Sequence, residues 1–152
     1  YDIFYSGLDM MLNRLSKEDG NKLLILLSMK QKLIVNKIIK EKMKESIDLD
    51  WKIKHGMYIT GTKTPYDFLK SIEKHNLSSF IEKITQNVLL LAGKNDQYVP
   101  VKRMEQIKKE LVNAQSVTSR VYTKEEMGEQ HSQVGNLSLV TEELYKFLYQ
   151  HN

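Results

Sequence analysis

The chain has 152 residues, the usual length of one domain, and 41% of them are hydrophobic and 28% charged, a balance that excludes a disordered or membrane-embedded chain. No apolar run approaches the ~18 residues of a membrane span, no signal-peptide pattern opens the chain, and the absence of cysteine excludes disulfides and thiolate metal sites. The net charge is +4, with the whole excess in residues 1–84, and a cytoplasmic location is expected.

The opening "YDIFYSGLDMMLNRL" reads as a helix through Ile3, Phe4, Leu8, Met11 and Leu15, or as a strand led by its aromatic residues. "NKLLILLSMKQKLIVNKIIKEKMK" predicts one long amphipathic helix over residues 22–44. Leu23, Leu24, Leu27, Ile34, Val35, Ile38 and Ile39 fall on one side of it, and Lys22, Lys30, Lys37, Lys40 and Lys44 form a basic stripe on another. "DLDWKIKHGMYITG" predicts a further helix, with Asp48 or Asp50 as N-cap and Gly61 as its stop. "TPYDFLKSIEKH" opens with Thr64 as cap and Pro65 at the first helical position. Trp51, Tyr58 and Phe68 are spaced for helical packing, which predicts core positions. Residues 1–84 thus read as helices only.

After residue 84 the period changes. "QNVLLLAGKNDQYVP" carries a continuous apolar run, Val88 to Ala92, ending in a polar turn, the pattern of a strand buried on both faces. "VKRMEQIKKELV" places Val101, Met104, Ile107 and Leu111 on one helical side, with Glu105 four residues before Lys109. "QSVTSRVYT" predicts a second strand, and the final helix aligns Val140, Leu144, Phe147 and Leu148. The expected fold class is α/β: a C-terminal βαβα unit with parallel strands over residues 85–152, preceded by an all-helical segment, residues 1–84.

A strand–helix–strand connection of this length is parallel and right-handed, so both strands present their C-terminal ends at one edge of the sheet, where open α/β sheets bind ligands. Asp96 follows the first strand, and His131, in "MGEQHSQVGN", follows the second. An Asp placed there accepts from an imidazole Nδ1–H and leaves Nε2 to take a proton from a nucleophile. The bland alternatives are an Asp that serves its turn or caps the next helix and a solvated loop His. His55, His75 and His151 read as structural or solvated. No H-E-x-x-H, G-x-G-x-x-G or Walker A pattern occurs, so neither metal nor cofactor is expected.

"NVLLLAGKNDQYVPV" resembles the strand and turn that carry the triad acid of α/β-hydrolases, and "GEQHSQVGN" resembles the histidine loop of that fold. The resemblance is closest to bacterial acylaminoacyl-peptidase-like and dipeptidyl-aminopeptidase-like serine hydrolases. It implies that Asp96 is the triad acid, that His131 is the triad base, and that residues 1–84 form a helical cap before the last part of the core. The G-x-S-x-G nucleophile elbow of that family is absent, as is an HGGG-like oxyanion segment. The chain is therefore expected to be a C-terminal segment whose serine lies upstream, to act on an ester, amide or peptide substrate only within the parent enzyme, and to be inactive alone. It is further expected to self-associate through an exposed sheet edge. No nucleic-acid or membrane partner is expected. The alternative is a non-catalytic helical module that binds protein or nucleic acid through its basic helix, residues 22–44; a third is a hydrolase-like fold that has lost its nucleophile.

Overall fold

The structure, a computed structural model, describes residues 3–12 and 15–151, so residues 1, 2, 13 and 14 of the opening stretch lie outside the described residues. The helical alternative for that stretch holds over α1 (Gly7–Leu12), which follows an antiparallel bridge between Ser6 and Asn76. Then come α2 (Lys17–Ser28), α3 (Lys32–Glu45), α4 (Ile47–Thr60) and α5 (Pro65–Glu73).

The single long helix expected over residues 22–44 is two helices. The chain leaves α2 through a Schellman motif in which Gln31 N–H donates to Leu26 O at 2.9 Å and Lys30 N–H to Leu27 O at 3.1 Å. Lys30 takes the left-handed position usually held by glycine, with φ 54°. No Gly or Pro stands between residues 21 and 55 to announce this stop. The break re-aims the apolar side chains. Leu23, Leu27, Val35 and Ile39 are buried with Leu8, Ile53, Phe68 and Leu69, whereas Leu24 and Ile34, expected on the same side, are exposed.

Ser46, rather than Asp48 or Asp50, caps α4, its Oγ accepting from Leu49 N–H at 3.2 Å. The two aspartates sit in the first turn instead, where they favour the helix dipole and pair with Lys52 at 2.5 Å and Lys54 at 2.7 Å. Gly61 ends α4 at φ 64°, and Thr64 caps α5 ahead of Pro65, as their residue types require. Of the three aromatic residues expected in the core, only Phe68 is buried; Trp51 and Tyr58 are exposed on α4.

Two short 3-10 turns, Leu77–Ser79 and Ile81–Lys83, lead into β1 (Asn87–Gly93), followed by α6 (Lys102–Glu110), β2 (Ser116–Tyr122) and α7 (Leu137–His151). β1 and β2 pair in parallel from Asn87 opposite Ser116 to Gly93 opposite Tyr122, forming a two-stranded sheet among the described residues. This is a mixed α/β architecture, a small parallel sheet flanked by helices. Side chains alternate across β1: Leu90 and Ala92 pack with Met104, Ile107 and Leu111 of the α6 segment, while Leu91 packs with Tyr122 and Val140 on the other face. Both faces of the strand are covered, which explains its unbroken apolar run.

α7 buries only Val140. Leu144 and Leu148, expected on its packed side, are exposed together with Tyr145 and Tyr149. His151 closes this helix, tilted against Phe147.

The chain divides into two compact units, Ser6–Asn76 and Leu77 onward, the latter joined by the opening segment through Tyr5. The change of period puts the boundary at residue 84, whereas Ile81 and Ile84 pack with the sheet, as does Ile3. None of the described helices is long and apolar enough to cross a membrane.

Lys30→Gly relieves the left-handed strain at the α2–α3 corner and is expected to stabilise the chain by about 0.5–1 kcal/mol. The readout is a higher urea midpoint at unchanged m. A lower midpoint would mean that the lysine side chain stabilises the corner by more than its backbone costs.

Candidate active site

β1 ends at Gly93 and β2 at Tyr122, so the loops that follow leave the sheet side by side. They are joined by their backbones: Lys94 N–H donates to Tyr122 O at 2.9 Å and Asn95 N–H to Glu129 O at 2.9 Å. Gly93 is what allows this approach. A Cβ there would stand 2.3 Å from the carbonyl oxygen of Glu129 and 2.6 Å from that of Gln130.

Asp96 and His131, 35 residues apart, meet at this edge, with His131 Nδ1 2.8 Å from Asp96 Oδ2. The other carboxylate oxygen, Oδ1, accepts the backbone N–H groups of Tyr98 at 2.7 Å and Val99 at 2.9 Å. A carboxylate so held is an acceptor only, so Nδ1 carries the proton and donates. In the neutral ring the lone pair then lies on Nε2. The Asp96 side chain is 1% exposed and that of His131 32%, so the pair is buried at its acid end and reaches solvent at its base end. Tyr98 packs edge-on against the imidazole with ring centroids 4.7 Å apart, which limits its rotation.

The histidine loop is braced from the opposite side. Arg120 of β2 binds Glu126 at 2.9 Å in the loop and Glu143 at 2.6 Å on α7. Glu126 also accepts Thr123 N–H at 2.9 Å through its other oxygen, and its carbonyl accepts Asn136 Nδ2 at 3.0 Å. The Thr123 N–H, and next the Arg120 guanidinium, hold the Glu126 carboxyl below the usual carboxylate range. The hydrogen bonds it donates to Glu126 and Glu143 hold the guanidinium pKa up.

The loop itself is strained. Met127, Ser132 and Gln133 all adopt positive φ, at 57°, 55° and 50°. Each such non-glycine residue costs on the order of 1–2 kcal/mol, and such strain persists where the surroundings dictate the backbone. Gln133 is fully buried, and neither carboxamide atom has a hydrogen-bond partner among the described residues.

Both residues singled out from the sequence, Asp96 and His131, are therefore brought together. Tyr98, Gly93 and the Arg120–Glu126–Glu143 clamp were not singled out. Gly93 and Tyr98 flank the Asp turn within "AGKNDQY", so their proximity was available, but the clamp joins a strand, a loop and a helix and has no local signal. Among the described residues no cluster of three His, Cys, Asp or Glu side chains is placed to hold a metal ion. The chain matches no protein-family model, no curated protein and no solved structure.

Gly93→Ala drives a methyl group into the backbone of residues 129–130. It is expected to cost about 1–3 kcal/mol and to weaken the downfield proton signal of His131 Nδ1–H as the loops separate. An unchanged signal would show that the loops adjust without parting. For Glu126, depressed in the folded state, the stabilisation is complete above the usual carboxylate range and is lost as pH falls through and below it. The urea midpoint should therefore fall between about pH 5 and about pH 3, and Glu126→Gln should make that fall shallower. An identical slope in both proteins would mean that the clamp contributes nothing.

Proposed function

We propose that Asp96 and His131 are the acid and base of a serine-hydrolase triad. The observation that carries this reading is the hydrogen bond from His131 Nδ1 to a buried carboxylate whose second oxygen is anchored by two backbone N–H groups, at the C-terminal edge of parallel strands. A carboxylate serving only its own turn has no need of an imidazole on Oδ2. A histidine serving only as a loop staple has no need of a partly exposed ring next to two residues of strained backbone.

In this reading Asp96 fixes the tautomer and stabilises the imidazolium, while His131 Nε2 takes the proton of a serine hydroxyl as it attacks an ester or amide carbonyl. The same proton then passes to the leaving group, and water repeats the sequence on the acyl-enzyme. The sequence holds no G-x-S-x-G elbow, so the serine is assigned to a polypeptide segment outside these residues. The sheet of residues 87–122 is then part of an α/β-hydrolase core, and the helical unit Ser6–Asn76 is its cap, by resemblance. The exposed apolar side of α7, from Leu144 to Tyr149, supports the same reading, since the last helix of such a core packs on strands beyond these two.

The test is fluorophosphonate labelling, read by intact mass, of residues 1–152, of a longer polypeptide that adds the preceding strands, and of that polypeptide with His131→Ala. Label is expected on the longer chain alone, with loss of labelling in His131→Ala. Asp96→Asn is expected to lower kcat/KM for an activated ester by roughly four orders of magnitude. Label that survives His131→Ala, or no label on either chain, would overturn the proposal.

A further inference from the structure

Several exposed apolar side chains of the helical unit come to one end of it, while Ile47 and Trp51 are exposed in the first turns of α4. Ile25 and Met29 lie one turn apart as α2 closes, and Leu33, 85% exposed, opens α3. The last turn of α4 comes to the same end. α5 starts shortly after α4 finishes and is tied to the first turns of α3 by Tyr66 N–H on Asn36 Oδ1 at 2.9 Å and by Lys32 on Asp67 at 2.9 Å. There Tyr58 is 84% exposed, and Ile59 beside it is exposed as well.

The charge left unpaired at this end is basic, Asp67 being taken up by Lys32. From Lys22 to Lys40 the sequence contains five lysines and no acidic residue. Lys22 and Lys32 are paired with Glu18 and Asp67, but Lys30, Lys37 and Lys40 have no ion-pair partner among the described residues. The lysines follow Leu33 along α3 at four and seven residues, so the basic row begins where the apolar tip ends.

We infer that this end of the helical unit docks on an anionic lipid surface, with Met29, Leu33 and Tyr58 entering the headgroup layer and Lys30, Lys37 and Lys40 meeting lipid phosphates. A polyanion such as DNA would satisfy the lysines and leave the apolar tip in water. A bilayer accepts both, because apolar side chains gain by leaving water while lysine stems lie along them with their ammonium groups at the phosphate level. The tip is also made of helix ends and a turn; none of Met29, Leu33 and Tyr58 lines the apolar cavity of about 90 Å³ to which all five helices of this unit contribute. The sequence pattern hides this surface, since a continuous helix over residues 22–44 sends Ile34 and Leu24 inward.

The test is co-sedimentation of the 152-residue chain with vesicles of phosphatidylcholine alone and with about one-third phosphatidylserine. Two variants accompany it, Met29→Gln with Leu33→Gln, and Lys30→Gln with Lys37→Gln and Lys40→Gln. All five residues are exposed, so circular dichroism should show unchanged folds. Binding is expected only with phosphatidylserine. It should fall about tenfold or more in the apolar pair at constant charge, and about fivefold per lysine in the triple variant. Failure of the unaltered chain to sediment would overturn the inference. So would sedimentation indifferent to Met29→Gln with Leu33→Gln and matched by equally tight duplex DNA binding, which would assign the face to polyanions. An apolar pair that instead halves the mass in light scattering, without vesicle binding by the unaltered chain, would assign it to a second copy.

Discussion

A carboxylate removed from water must have its lone pairs filled, at a cost of about 1–3 kcal/mol or more for each group left unsatisfied. Asp96 meets that demand on both oxygens. Its own turn supplies two N–H groups to Oδ1, and the loop after β2 supplies His131 to Oδ2. The first set can form within a single turn. The second requires two loops from different strands to reach the same point, and much of the sheet unit is arranged to make that happen.

Parallel pairing brings the strand ends level, with Gly93 opposite Tyr122, and the missing side chain at residue 93 lets residues 129 and 130 pass at backbone contact. Arg120 then holds the loop from β2 through Glu126 and ties it to α7 through Glu143. Against this bracing stand three left-handed residues and the unpaired carboxamide of Gln133. Two of the three, Ser132 and Gln133, follow the partly exposed imidazole directly, and none lies in the Asp96 turn.

The helical unit answers to a different constraint. Its core needs Leu23, Leu27, Val35 and Ile39 together with residues of α1, α4 and α5, and a straight helix from 17 to 45 would be about 44 Å long, far too extended for both halves to face one small core. Folding it back at Lys30 places both halves on the core and leaves Met29, Leu33 and Ile34 outside. The basic row and the apolar tip are consequences of that bend.

Periodicity and end signals were enough to read β1, α6, β2 and α7, the Gly61 stop and the Thr64–Pro65 start, because each is written in residues close in sequence. The order strand, helix, strand also determined that Asp96 and His131 emerge at one edge, since strands joined by such a crossover run parallel and end on the same side. The stop at Lys30, the cap at Ser46, the exposure of Trp51 and Tyr58, and the Arg120 clamp were decided only in three dimensions. A lysine in the left-handed position carries no sequence signature, and a helical pattern reports which side is apolar but not whether a neighbour covers it. The sequence thus determined which residues face a common edge, while tertiary packing alone decided which of those approaches close to hydrogen-bond distance.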